Sequence, residues 1–246
     1  MSDVNLVDNL VEDYLKKSQF KHKLFSKKDY ITTPSKSGYR GVHLIYDYHS
    51  KRNKYYNDLK IEIQIRSLLQ HAWATTVETI DIFTKQALKS SQGDKDWSRF
   101  FVLMSSAMAI KEQRPISLNT PADLVGLKNE IIEYENKLGV KNKLNAFRVS
   151  MRLLDSLDNN SNQNIQDAHY YLLELDTTKN IVKIITFNQN ESIKANEAYI
   201  ELEKASDISI NVVLVSAESL STLKLAYPNY YADTDMFLTS LNEIIT

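Results

Sequence analysis

A chain of 246 residues can hold one large or two small domains, and 43% hydrophobic with 25% charged residues marks a folded globular protein rather than a disordered tract. A formal net charge of −1 exerts no global pull toward nucleic acid or an anionic membrane. The absence of cysteine removes disulfides, thiolate zinc sites and cysteine nucleophiles together.

No apolar run nears membrane-spanning length, and no signal-peptide pattern opens the chain, so no membrane partner is expected and the cytoplasm is the expected location. Val4 to Leu15 places Leu6, Leu10 and Tyr14, with Val7 and Val11, at helical spacing for one buried stripe. Lys16 to Lys28 is locally basic, interrupted by Phe20, Leu24 and Phe25, and reads as a solvated linker or a phosphate-gathering segment. Val42 to Tyr48 alternates Val, Leu, Tyr and Tyr against His, Ile and Asp; the polar stretch 49–58 then turns the chain into Leu59 to Arg66. That pattern predicts an antiparallel hairpin.

Ser67 is the expected N-cap of a helix to about Thr84, with Leu69, Trp73, Val77 and Ile80 on one stripe. Asp96 to Glu112 predicts a second long helix whose Trp97, Phe100, Phe101, Met104 and Met108 are core. Residues 114–120 read as a boundary, with Pro121 in the first turn of a helix over 122–138 and Gly139 as the stop before another over 142–157. After a polar loop at 158–167, strands over 170–175 and 181–187 flank a turn at 176–180. A helix over 191–205, a strand over 210–215 and a helix over 218–226 follow; Tyr227 to Tyr231 breaks the chain before a last helix capped by Asp233 or Thr234. Residues 1–114, 115–160 and 161–246 are thus expected to form a leading domain, a helical connector and a small ββαβα module.

Because strand residues alternate between faces, His43 on one strand and Glu62, Gln64 and Arg66 on the next form a polar row, with Ile61, Ile63 and Ile65 behind it. Entered by the turn Gly38-Tyr39-Arg40, this row suits a phosphate and a purine, although such a row is most often a solvated face. His22, His49, His71 and His169 show no metal-ligand spacing.

Asp29-Tyr30-Ile31, Ser37-Gly38-Tyr39-Arg40 with His43, Glu62-Ile63-Gln64-Ile65-Arg66 and Gln70-His71-Ala72-Trp73-Ala74 stand here in one order and spacing. Together they resemble the second half of the RelA/SpoT synthetase domain, whose members move pyrophosphate from ATP to the 3′-hydroxyl of GTP or GDP in the bacterial stringent response. The resemblance implies an α/β (α+β) fold: a mixed sheet of a partial nucleotidyltransferase-like domain flanked by helices. It implies that Tyr39 stacks on guanine, that His43, Arg40 and Lys36 attend the acceptor's phosphates, and that Gln64 and Arg66 complete the site. Glu62 would hold magnesium and activate the 3′-hydroxyl. Lys36 is displaced by one position from the family's lysine, Gly41 stands where serine is common and would loosen the turn, and Glu78 falls about 100° around its helix from the family's acidic position.

In the family a donor-binding half with an Asp-x-x-Gly-x-Arg strand precedes these motifs, so the chain is expected to be a truncated member with ATP bound only if that half comes from elsewhere. Three readings stay open: a guanine-nucleotide pyrophosphokinase, a related transfer onto tRNA 3′ ends (which the charge supports little), and a non-catalytic guanine-nucleotide module. A sheet without its leading strands would expose an edge, so a homo-oligomer is expected.

Overall fold

The computed structural model describes residues 3–16, 22–87, 91–158, 168–176, 181–205, 210–218 and 230–246. Residues 159–167 of the polar loop expected over 158–167, residues 177–180 of the turn expected over 176–180, most of the helix expected over 218–226, the start of the aromatic break and Lys17, Phe20 and Lys21 of the basic run lie outside them; Asp158 instead ends a helix and Asp176 a strand. The chain divides into two compact units, one of residues 1–74, 98–132 and 239–246, the other of 75–97 and 133–238. No helix among the described residues is long and apolar enough to cross a membrane.

The first unit opens with helix α1 (Val4–Lys16) and a sheet of three strands in order β1 (Lys23–Asp29), β2 (Val42–Asp47), β3 (Lys60–Ile65). The sheet expected to be mixed is antiparallel throughout, since β2 and β3 are joined as a hairpin; the α+β class stands. The register pairs His43 with Gln64 and Ile45 with Glu62, which puts Val42, Leu44 and Tyr46 opposite Ile65, Ile63 and Ile61 on the other face. That apolar face packs on Val4, Val7 and Val11 of α1, with Leu10 and Tyr14 at its margin. Burying each such aliphatic side chain stabilises the fold by about 1.5–3 kcal/mol. Leu6, expected in the stripe, is 43% exposed, because it stands about 100° around the helix from Val7.

β1 is a strand that the sequence does not announce. Its residues Lys23, Leu24, Phe25, Ser26, Lys27, Lys28 and Asp29 show no apolar alternation, and the strand buries none of them. Pairing with β2 holds it, with a bulge between Leu24 and Ser26. A lysine-rich, bulged edge of this kind also discourages further strands from adding.

Helix α2 (Leu68–Ala87) starts where Ser67 was expected to cap it: the Gln70 amide donates to Ser67 Oγ at 3.1 Å, and the Ser67 amide donates to Gln70 Oε1 at 3.1 Å. This is a capping box. Helix α3 (Ser91–Lys111) carries Trp97, Phe100, Phe101, Met104 and Met108 as core, as their spacing predicts. Helix α4 (Leu124–Leu138) starts later than expected: Asp123 caps it, accepting from the Gly126 amide at 2.6 Å, which leaves Pro121 outside the first turn.

The second unit includes helix α5 (Val140–Asp158), strands β4 (Tyr170–Asp176), β5 (Ile181–Phe187) and β6 (Ile210–Ser216), and helix α6 (Ser192–Ala205). Gly139, at φ +62°, is the break between α4 and α5. The sheet runs β5-β4-β6, antiparallel throughout. Phe147 and Ala146 of α5 cover one face at Tyr171, Leu173, Val213 and Val215, while Ala195 and Tyr199 of α6 cover the other at Leu172 and Leu214. Central β4 is therefore apolar on both sides, unlike β2. The last helix, α7 (Tyr230–Ile245), begins before Asp233, which sits buried in its first turn rather than at its cap.

Candidate functional site

The segment between β1 and β2 is built to present one side chain. Asp29 accepts from the amides of Ile31 and Thr32, each at 3.1 Å, and turns the chain out of β1. Burial pushes the Asp29 carboxyl up, but the hydrogen bonds from Thr32 and the charge of Lys27 outweigh it and leave it below the usual range. Ser35 closes the next turn: its Oγ accepts from the Tyr39 amide at 3.0 Å and its carbonyl from the Gly38 amide at 3.0 Å. Gly38 has φ +87°, and a Cβ there would lie 3.1 Å from both Ser105 Cβ and Val102 Cα of α3. Only glycine lets the turn sit this close.

Tyr39 then lies over the polar face of the sheet, where five side chains close a ring of hydrogen bonds. Its hydroxyl lies 2.6 Å from His43 Nε2 and accepts from Arg66 Nε at 3.0 Å. His43 Nδ1 is 2.7 Å from Glu62 Oε1, Gln64 Nε2 donates to Glu62 Oε2 at 3.3 Å, and Arg66 Nη2 donates to Gln64 Oε1. The five bonds of the ring are all satisfied when His43 carries its proton on Nδ1, donating to the carboxylate, and its Nε2 accepts from the Tyr39 hydroxyl. The Gln64 amide, together with the bond from His43, holds the Glu62 carboxyl below its ordinary range. Burial pushes the Tyr39 phenol up, against the pull of the Arg66 guanidinium.

The ring atoms are arranged as well. Arg66 Cζ stands 5.0 Å from the Tyr39 ring centroid, and Tyr30, Tyr39 and His43 meet edge to face at 5.4–5.6 Å. Such pairs add about 0.5–1.5 kcal/mol each beyond area burial. Gly41, expected to loosen the turn, instead makes room: a Cβ there would stand 3.1 Å from both Tyr39 Oη and Arg66 Cγ.

Of the residues expected at the site, the fold brings Tyr39, His43, Glu62, Gln64 and Arg66 together. It does not bring Arg40, which is 4% exposed and turns the other way. Arg40 Nε donates to Ser105 Oγ at 2.9 Å, and its Nη atoms reach the Ile31 carbonyl and Ser117 Oγ at 3.5 and 3.4 Å. Lys36 is exposed on the turn, and Glu78 is exposed on α2. The sequence assigns Tyr30 no role of its own and places Lys28 only within a basic run that reads as a linker or a phosphate-gathering segment. Tyr30 stands inside the Asp29-Tyr30-Ile31 motif, a usable signal; Lys28 shows its place only through pairing with His43, which puts it on the same face.

Among these residues Glu62 is the carboxylate that would hold magnesium, with the phosphates of a bound nucleotide as its further ligands. Both Glu62 oxygens are engaged by His43 and Gln64, and among the described residues no three His, Asp or Glu side chains cluster as a metal cage. The arrangement offers instead an aromatic ring, a guanidinium, an imidazole and a carboxylate on one sheet face, a set suited to an aromatic ligand that carries phosphate and hydroxyl groups.

Residues 2–85 match the model of the region found in RelA / SpoT proteins. No curated protein matches the chain. Among solved structures, a GTP pyrophosphokinase family protein from Streptococcus pneumoniae is 23% identical, with a TM-score of 0.36, over 46% of this chain and 57% of that one. The chain thus spans little more than half the length of that protein. Residues 2–85, which carry α1, the three-stranded sheet, the Gly38–Arg40 turn and the ring of five side chains, are a RelA/SpoT-type region.

Proposed function

We propose that this region binds the acceptor guanine nucleotide of a (p)ppGpp-type pyrophosphoryl transfer, GTP or GDP, on the polar face of the sheet. The observation that carries the reading is the closed ring of Tyr39, His43, Glu62, Gln64 and Arg66 at the end of the glycine turn. Tyr39 is held at its hydroxyl, so its orientation is set before a base arrives, and base stacking on such a ring contributes about 1–3 kcal/mol. Arg66 and His43 lie beside it for phosphate, with Lys28 and Lys36 as further cations, and Glu62 accepts the hydrogen bond of the ribose 3′-hydroxyl.

In the transfer itself the 3′-oxygen forms a bond to the β-phosphorus of ATP. The bond from that phosphorus to the α,β-bridging oxygen breaks, AMP departs, and the hydroxyl proton leaves through Glu62. A carboxyl held below its ordinary range is a weak base, but phosphoryl transfer of this kind depends mainly on positioning and charge.

A second reading, nucleotide binding without transfer, is favoured by the engagement of both Glu62 oxygens. Calorimetry with GDP and GTP on the chain and on Tyr39→Ala, alongside labelled phosphate transfer from ATP, tests both. Binding lost in Tyr39→Ala supports the acceptor site; transfer by the chain selects the first reading, and binding without transfer the second. Equal nucleotide binding by the chain and the variant would refute the site.

A further inference from the structure

We infer that Ser105 and Arg40 form a positioning layer that aims Tyr39, that Glu112 anchors the chain just after Arg66, and that Arg40 is not a phosphate contact. This rests on the reading of Tyr39 as the base-stacking residue. Arg40 follows Tyr39 directly, in the turn expected to face the nucleotide, yet its guanidinium points into the interior. One hydroxyl of α3 fixes both neighbours of Tyr39: Ser105 Oγ donates to the Gly38 carbonyl at 2.6 Å and accepts from Arg40 Nε at 2.9 Å. Ser105 is itself 2% exposed, so it cannot reach a ligand on the sheet face. Arg40 Nη2 extends the clamp to Ser117 Oγ at 3.4 Å.

Seven residues beyond Ser105, in the turn that follows α3, Glu112 holds the stretch that follows Arg66. Its carboxylate accepts from Ser67 Oγ and, at 2.8 Å, from Gln70 Nε2. Ser67 is the residue after Arg66, so the capping box of α2 is tied to the end of α3 where Arg66 leaves the sheet. A small cavity lined by Arg40, Gln70, Trp73, Ser105 and Glu112 lies between the two anchor points. The burial that encloses Arg40 lowers its pKa to about 10, with Glu112 the charge that opposes the shift. Arg40 therefore remains a cation at neutral pH, enclosed opposite a carboxylate and not presented to solvent.

The consequence is a division of labour that binding can read. A phosphate contact would affect any phosphate ligand; a residue that aims Tyr39 affects only ligands that carry a base. Affinities for GDP and for inorganic pyrophosphate should be measured by calorimetry on the chain, Ser105→Ala, Arg40→Lys and Tyr39→Ala, with circular dichroism as the folding control. Ser105→Ala and Arg40→Lys are expected to weaken GDP binding about tenfold, with pyrophosphate affinity unchanged. Arg40→Lys keeps the charge but loses the fork that reaches Ser105 and Ser117 together.

A merely destabilised protein would lose active fraction for both ligands and leave the ratio of their affinities alone, which would overturn the inference. So would GDP binding at the parent level in Ser105→Ala, or a parallel loss of pyrophosphate affinity in Arg40→Lys, while Tyr39→Ala still abolished GDP binding. If Tyr39→Ala itself bound GDP like the parent, the acceptor site would be refuted, and the positioning layer with it.

Discussion

Replacing Gly38 by alanine isolates the contact that holds the turn against α3. At φ +87° an L residue is strained, a penalty of about 1–2 kcal/mol. The added methyl would also lie 3.1 Å from the Val102 backbone and from Ser105 Cβ, and 3.2 Å from Trp73 Cζ2. Two of those neighbours belong to a helix that cannot yield without moving its own core residues, so overpacking adds about 1–3 kcal/mol. The sum is about 2–5 kcal/mol. Gly139→Ala is the matched control, since Gly139 also has positive φ (+62°) but a Cβ there meets nothing within 4 Å. It should cost only the backbone share, about 1–2 kcal/mol. Urea unfolding followed by tryptophan fluorescence and far-UV circular dichroism measures both, and with a slope of about 1–3 kcal/mol per molar the two midpoints are resolvable. A Gly38→Ala protein no less stable than Gly139→Ala would show that the turn does not press on α3 as described, and the argument from close approach would fail.

Leu44→Ala, at a fully buried position of the face that packs on α1, should cost about 2–5 kcal/mol in the same unfolding assay. A change below 1 kcal/mol would contradict that core. Ser67→Ala removes the cap of α2 and one donor to Glu112, and about 1–3 kcal/mol of stability should go with it; restoration by Thr but not by Val would identify the hydroxyl as the cause. Glu62 has a folded pKa below the unfolded value of 4.5. Its contribution to stability is therefore fully present above that value and is lost as pH falls through the folded value. Carboxyl resonances followed by NMR should show Glu62 titrating below the free range, and Gln64→Ala should move it upward; a titration at or above 4.5 in the parent would break the ring assignment.

Much of this was legible in the residues themselves. The alternation of Ile61, Ile63 and Ile65 with Glu62 and Gln64 specifies a strand with one apolar and one polar face, because side chains along a strand point alternately. Ser67 followed by Gln70 specifies a capped helix, and the i, i+3, i+4 spacing of Trp97, Phe100, Phe101, Met104 and Met108 specifies a buried stripe. All are properties of a few neighbouring residues, which local geometry converts directly into structure.

What only the tertiary structure decided concerns partners far apart in the chain. Lys23 to Asp29 has no strand pattern of its own and becomes β1 by pairing with β2. Arg40 looks like a ligand contact from its place beside Tyr39, but Ser105 and Ser117, 65 and 77 residues away, supply the acceptors that turn it inward. Gly41 looks like a weakness in the turn until Arg66 and the Tyr39 hydroxyl are seen to occupy the space a Cβ would fill. A charged side chain follows whichever acceptors the fold supplies, since an unpaired buried charge costs more than any local preference can return. Periodicity fixes which way a residue faces along its own strand or helix; the direction of a turn residue such as Arg40 is fixed by the distant acceptors that complete its hydrogen bonds.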